Sequence, residues 1–208
     1  VEPGIFSPSH RDEGLRARLL ARCGLSEDST LLIGIGRLAP EKRWPMVIDA
    51  VAAAGYGQPV GFVLFGDGRD RARVVRVAAN NPHVHLAAPV VDRIELATIL
   101  ASADALVHGC EAETFGMVAA EARASGLPLI VPDEGGTSDQ FSEGQGALYA
   151  ARNATSLAAA IAGFIASIPS AHRARAVLAA PHVLDMDDHF DRLFSTYAAG
   201  IERLADVA

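Results

Sequence analysis

Two stretches of the sequence combine residue types that bind phosphate and hydroxyl groups. The first reads Gly36-Arg37-Leu38-Ala39-Pro40-Glu41-Lys42, with its two cations five positions apart and a helical pattern just beyond. A helix N-terminus attracts phosphate through its free N–H groups and dipole, and Arg37 and Lys42 would add fixed charge there. A solvated turn carrying two surface cations would read the same way. The second stretch runs Cys110-Glu111-Ala112-Glu113-Thr114-Phe115-Gly116-Met117-Val118-Ala119-Ala120-Glu121-Ala122, from an apolar segment straight into a helical one. Glu113 falls on the loop, and Glu121 falls about two turns into the helix that Gly116 opens. Carboxylates placed this way can accept hydrogen bonds from vicinal hydroxyls, as a sugar or a ribose presents them. Gly116 lets a ligand approach the backbone closely, and the N–H groups of residues 115–118 stand at the helix start. Glu121 shares its helix with Val118, Ala119, Ala120, Ala122 and Ala124, and a carboxylate in such company needs a partner, because unpaired burial is costly.

Nearby residues have plainer readings. His108 reads as a packing or hydrogen-bonding histidine rather than a general base. Cys110 has no identifiable base partner and reads as a small wall residue. Asp67, between Gly66 and Gly68, reads as a turn residue. Asp133 and Glu134 fit loop charge as well as sugar contact. Asn153-Ala154-Thr155 has the glycosylation pattern, which carries no weight in a cytosolic chain. The Cys and His residues show no zinc spacing, so no metal site and no cofactor are expected.

The elements that must position these loops follow from apolar runs alternating with helical patterns. Strands are expected at 31–35, 60–65, 83–86, 105–108, 127–131 and 147–149. Helices are expected at 13–23, 44–54, 70–79, 93–101, 116–124, 156–167, 171–179 and 187–204, with Pro169 and Pro181 as breaks. Strands without polar alternation, each followed by a helix, describe a doubly wound parallel α/β sheet covered on both faces, here with a helical C-terminal tail. Ligands bind such sheets outside the carboxyl ends of the strands, which is where the two stretches fall.

Composition narrows the function classes. Of 208 residues, 50% are hydrophobic and 21% charged, which excludes disorder for the bulk of the chain. No apolar run approaches the ~18–20 residues of a membrane span. A net charge of −7 argues against a nucleic-acid partner, which calls for a basic field. Cys23 and Cys110 cannot make a disulfide framework, so a reducing cytoplasm is the expected compartment. Val1 to Pro8 reads as a loop running into a domain, and the chain is expected to be a fragment.

Taken in order, Gly36-Arg37-Leu38-x3-Lys42, Gly66-Asp67-Gly68, Ala101-Ser102-Ala103-Asp104, Glu113-x-Phe115-Gly116-x4-Glu121-Ala122, Ala124-Ser125-Gly126-Leu127-Pro128-Leu129-Ile130-Val131 and Gly135-Gly136 resemble the donor-binding half of a retaining glycosyltransferase of family 4. The resemblance covers effectively the whole chain. It implies the C-terminal, Rossmann-like half of a GT-B fold: a lead-in segment and helix over 1–30, the core over 31–150, and C-terminal helices over 151–208. It further implies that a nucleotide-diphospho-sugar, UDP- or GDP-linked, is the donor substrate, and that transfer of its hexosyl group needs no metal. Residue by residue, Arg37 and Lys42 would hold the leaving diphosphate, Glu121 the ribose and Glu113 the sugar hydroxyls. Gly36 and the backbone at Phe115, Gly116 and Met117 would line the donor, and the loop around Val90 would lie along the base. An N-terminal acceptor domain of the same protein, absent from this chain, would be the partner, and any peripheral membrane association would belong to it. The isolated chain is therefore expected to be inactive.

The sequence departs from the family where Arg43-Trp44 follows the loop lysine in place of the usual glycine, at Pro89, and at His108-Gly109-Cys110. The last expected helix would carry Phe190, Leu193, Phe194, Tyr197 and Ile201 on one apolar stripe, favouring self-association. Two other readings stay open: a stand-alone nucleotide-binding or regulatory module, and a GT-B-fold enzyme of another kind, such as a nucleotide-sugar epimerase or a phosphorylase.

Overall fold

A computed structural model describes residues 4–167, 169–180, 190, 191 and 193–197. In chain order the elements are α1 (Glu13–Arg22), β1 (Thr30–Ile35), α2 (Trp44–Ala54), β2 (Val60–Phe65), α3 (Arg71–Ala78), β3 (Val84–Ala87), α4 (Arg93–Ser102), β4 (Ala105–Val107), α5 (Met117–Ala124), β5 (Leu129–Pro132), β6 (Gly146–Tyr149), α6 (Ala154–Ala166) and α7 (Pro169–Ala179). The strands form one sheet in the order β3-β2-β1-β4-β5-β6, every pairing parallel. This is the doubly wound arrangement, and its direction of winding reverses between β1 and β4.

Alternate residues of each strand enter different layers. Leu31, Ile33, Val63, Phe65, Leu106, Leu129 and Val131 pack beneath α1, α4 and α5. Leu32, Phe62, Leu64, Val107 and Ile130 pack beneath α2, α3 and α6. Both faces are covered, which is why these strands read as continuous apolar runs. Asp12, Asp92 and Asn153 start α1, α4 and α6 by accepting hydrogen bonds from Leu15, Glu95 and Ser156 N–H groups at 2.8–2.9 Å. The glycosylation-like Asn153 is thus a helix cap.

Most boundaries differ from expectation by a residue or two, and three of these shifts have a clear local reason. β5 starts at Leu129 rather than at 127 because residues 125–127 close α5 instead. Gly126, at φ +67°, donates to the Arg123 carbonyl, and Leu127 donates to that of Ala122, the hydrogen-bond pattern of a Schellman stop. β3 starts at Val84 rather than at 83 because His83 N–H is engaged by the Asn81 side chain. Pro169 opens α7 rather than preceding it, since the first helical position needs no N–H. Of the last expected helix, Phe190, Asp191 and residues 193–197 are helical, with Phe190, Phe194 and Tyr197 exposed; the rest, including Ile201, lies outside the described residues. Among the described residues no single helix is long and apolar enough to cross a membrane.

Candidate donor-binding site

The loops leaving β1 and β4 face each other at the point where the sheet reverses its winding. After β1 the chain passes Gly36 and Arg37, makes a single 3-10 turn over Pro40–Lys42, and enters α2 through Arg43. Trp44, fully buried, anchors this turn by donating its Nε1–H to the Arg37 carbonyl at 2.9 Å. Its ring has room because β1 carries Gly34, where a Cβ would stand 2.8 Å from the Trp44 and Phe62 rings.

The β4 loop is drawn against this turn. At Gly109 a Cβ would lie 2.6 Å from the Lys42 carbonyl oxygen, so only glycine permits the approach. It brings the Lys42 ammonium onto the Glu113 carboxylate, in an ion pair whose side chains are mostly withdrawn from solvent. Beside it Arg43 makes a bidentate pair with Glu111, through Nη2 to Oε1 and through Nε to Oε2 at 2.8 Å. The Glu113 main chain is held from the β5 loop, where Gly136 N–H donates to its carbonyl at 2.7 Å.

Electrostatics follow from these contacts. The nearby His108 ring and then the Lys42 ammonium hold the Glu113 carboxyl down to about 2, against the opposing effect of burial. Arg43 does the same for Glu111, also to about 2. Both carboxylates are therefore charged at neutral pH. Beneath them His108 is 1% exposed, with Nε2 3.4 Å from Glu113 Oε1 but not aligned for a hydrogen bond. The Tyr149 hydroxyl donates to the His108 carbonyl at 2.8 Å, and burial pushes the Tyr149 phenol up.

The remaining expected residues fall in four groups. Glu121 is 5% exposed, and Arg93 at the head of α4 gives it the partner its apolar helix demands, at 2.8 Å. Phe115 and Met117 are about half exposed, on either side of Gly116 at φ +76°. No side-chain hydrogen bond caps α5 there, and the Ala119 N–H donates back to the Gly116 carbonyl at 2.9 Å. Val90 packs against the α4 side of the core and lines an open groove with Pro89, Leu15, Leu19 and Phe65. Arg37, by contrast, is not gathered with Lys42 and Glu113. Its side chain is 79% exposed, 3.6 Å from Glu41, on the rim of the crevice.

Several residues escape the reading of the sequence. Arg43, Glu111 and Arg93 had no motif to mark them, since their roles are pairings across 28 to 68 positions. Arg43 has φ +52°, the left-handed conformation that suits glycine. The departure noted at this position is thus a strained arginine held by Glu111. Sequence spacing also conceals that His108, Cys110 and Glu113 bring their ligand atoms within 4.8 Å of one another.

A six-stranded, doubly wound parallel sheet, with a cation–carboxylate pair and an uncapped helix start at its switch point, defines a Rossmann-like α/β fold. The chain belongs to the family described as glycosyl transferases group 1, whose sequence model matches residues 17–177. It is similar to a GDP-mannose-dependent alpha-mannosyltransferase of Mycobacterium tuberculosis, 42% identical over 140 residues that cover 67% of this chain and 33% of the relative. A D-inositol 3-phosphate glycosyltransferase of Nocardiopsis dassonvillei is 32% identical over 219 residues, covering 96% of this chain and 48% of the relative. The chain thus spans between a third and a half of the length of these curated relatives. Among solved structures, Anabaena HepE in complex with UDP and glucose has a TM-score of 0.74 at 20% identity, covering 93% of this chain and 55% of that one.

Proposed function

We propose that this chain is the donor-binding half of a retaining, family 4 glycosyltransferase that takes a GDP-linked hexose. The observation that carries this reading is the Lys42–Glu113 pair beside the uncapped start of α5. Donor binding exchanges partners in that pair. Lys42 turns to the diphosphate, and Glu113, released, accepts from the sugar hydroxyls. Arg37 closes on the diphosphate from the rim, and the backbone at Gly36, Phe115, Gly116 and Met117 lines the donor. Negative charge that develops on the leaving diphosphate meets cations fixed beforehand, which is where electrostatic catalysis acts, and in this reading no metal is needed. Glu121, oriented by Arg93, takes the ribose hydroxyls, and the loop at Val90 lies along the base.

Guanine is chosen because the mannosyltransferase relative at 42% identity is GDP-mannose-dependent. The acceptor belongs to another part of the protein, so the 208-residue chain binds nucleotide without transferring sugar. Calorimetric titration with GDP, UDP and ADP tests the reading. GDP should bind most tightly. Tighter UDP binding would overturn the base, and no binding of any nucleotide would overturn the donor site.

A further inference from the structure

We propose that His108, Cys110 and Glu113 form a binding site for a zinc-like divalent cation, distinct in purpose from the donor chemistry and opposed to the Lys42–Glu113 pair. An imidazole nitrogen, a thiol sulfur and a carboxylate oxygen, supplied by one loop, converge within 4.8 Å of one another. This mixed N, S, O set suits zinc and its borderline-soft neighbours, and is wrong for magnesium or calcium, which prefer oxygen throughout.

The second observation is the state of His108 itself. It is 1% exposed; Nε2 lies 3.4 Å from Glu113 Oε1 without the alignment of a hydrogen bond, and Nδ1 has no hydrogen-bond partner among the described residues. Buried polar nitrogens are ordinarily satisfied, so an orphaned imidazole aimed at a carboxylate calls for an explanation. Cys110, 2% exposed, lies two positions along the same loop. Three protein ligands leave a fourth position for water, the pattern of an open zinc site. Binding deprotonates the Cys110 thiol: a sulfur–metal bond forms, the S–H bond breaks, and the proton passes to buffer.

The same Glu113 oxygen region serves the Lys42 ammonium, and two cations cannot share it at low cost. A bound metal therefore expels Lys42 from Glu113 and occupies the carboxylate that the donor sugar would use. Occupancy would act as a brake on donor binding, yet the site itself is defined without any nucleotide. Its failure and the failure of the donor reading are separately visible.

Cobalt(II) titrated into the full chain, without nucleotide, is the direct test. One equivalent should produce a thiolate-to-cobalt charge-transfer band and the strong visible absorption of four-coordinate cobalt, and zinc should displace it while magnesium should not. Cys110→Ser should abolish the band, and Cys23→Ser, at the other buried thiol, should retain it. Glu113→Gln should keep the band but weaken cobalt affinity by about tenfold or more. Lys42→Met should tighten it by about tenfold through loss of the competing charge. If Cys110→Ser fails to fold, the opposite shifts in Glu113→Gln and Lys42→Met decide the matter. Absence of a thiolate band in the parent chain, or equal affinities in the parent, Glu113→Gln and Lys42→Met, overturns the proposal.

Discussion

Lys42 and Glu113, 71 positions apart in sequence, meet as an ion pair where the loops leaving β1 and β4 converge. The pair has a pH signature. The His108 ring first and the Lys42 ammonium second depress Glu113 from 4.5 to about 2 in the folded chain. A carboxyl lowered on folding stabilises the native state above its unfolded value, and that contribution is lost as pH falls through the folded value. The stability difference between the parent and Glu113→Gln should therefore be constant near neutrality and shrink between pH 4.5 and 2. Urea unfolding of both proteins across that range measures it. A difference that stays flat down to pH 2.5 would show that the contacts of Glu113 with His108 and Lys42 do not hold in solution.

Arg43 separates backbone strain from side-chain pairing. Its φ of +52° burdens any residue but glycine, and its guanidinium pairs with Glu111. Arg43→Ala loses the pair and keeps the strain, whereas Arg43→Gly loses the pair and relieves the strain. Arg43→Gly should be the more stable of the two variants by about 1 kcal/mol. Denaturant midpoints for the two, with equal m-values, check this; equal stabilities would mean that the turn relaxes when Glu111 lets go.

Much of this molecule was legible in its sequence because apolar runs and helix caps act locally. Leu31 to Ile35 and Val60 to Phe65 announce buried parallel strands, and the two charged loops sit at strand ends by the rules of such sheets. Glu121 on its alanine-rich helix could be recognised as a carboxylate needing a partner, yet nothing local identified Arg93. Nor could spacing show that Arg37 stays on the rim while Lys42 turns inward, because a rotamer and a 3-10 turn decide that. His108 reads as a packing residue, and it does pack edge-on to Trp44, with 6.3 Å between ring centroids; its convergence with Cys110 and Glu113 is a product of the loop's fold.

Gly109 is the point at which the two loops touch. An alanine there would place its Cβ 2.6 Å from the Lys42 carbonyl and 2.9 Å from Val47 Cγ2, neither of which is the end of a long flexible side chain. Gly109→Ala should destabilise the fold by about 1–3 kcal/mol, the usual cost of overpacking. It should also push Lys42 off Glu113 and weaken pyrophosphate binding. Calorimetry with pyrophosphate, at a temperature where circular dichroism shows the variant folded, separates the two effects. Unchanged pyrophosphate affinity would mean that the Lys42 turn does not depend on this contact.

Glu121 and Lys42 should divide the nucleotide between them. Glu121, 5% exposed and bonded to Arg93, lies on α5, whereas Lys42 belongs to the β1 loop. If Glu121 takes the ribose, Glu121→Gln removes an anionic acceptor from the sugar hydroxyls while leaving the phosphate cations in place. GDP affinity should then fall by about tenfold, since hydrogen bonds to charged groups are worth about 1.5–3 kcal/mol, and pyrophosphate affinity should not change. Lys42→Gln should weaken GDP and pyrophosphate alike. Parallel losses of both ligands in Glu121→Gln would show that this carboxylate supports the loop through Arg93 rather than touching the ribose. Unaltered GDP binding would remove it from the site altogether.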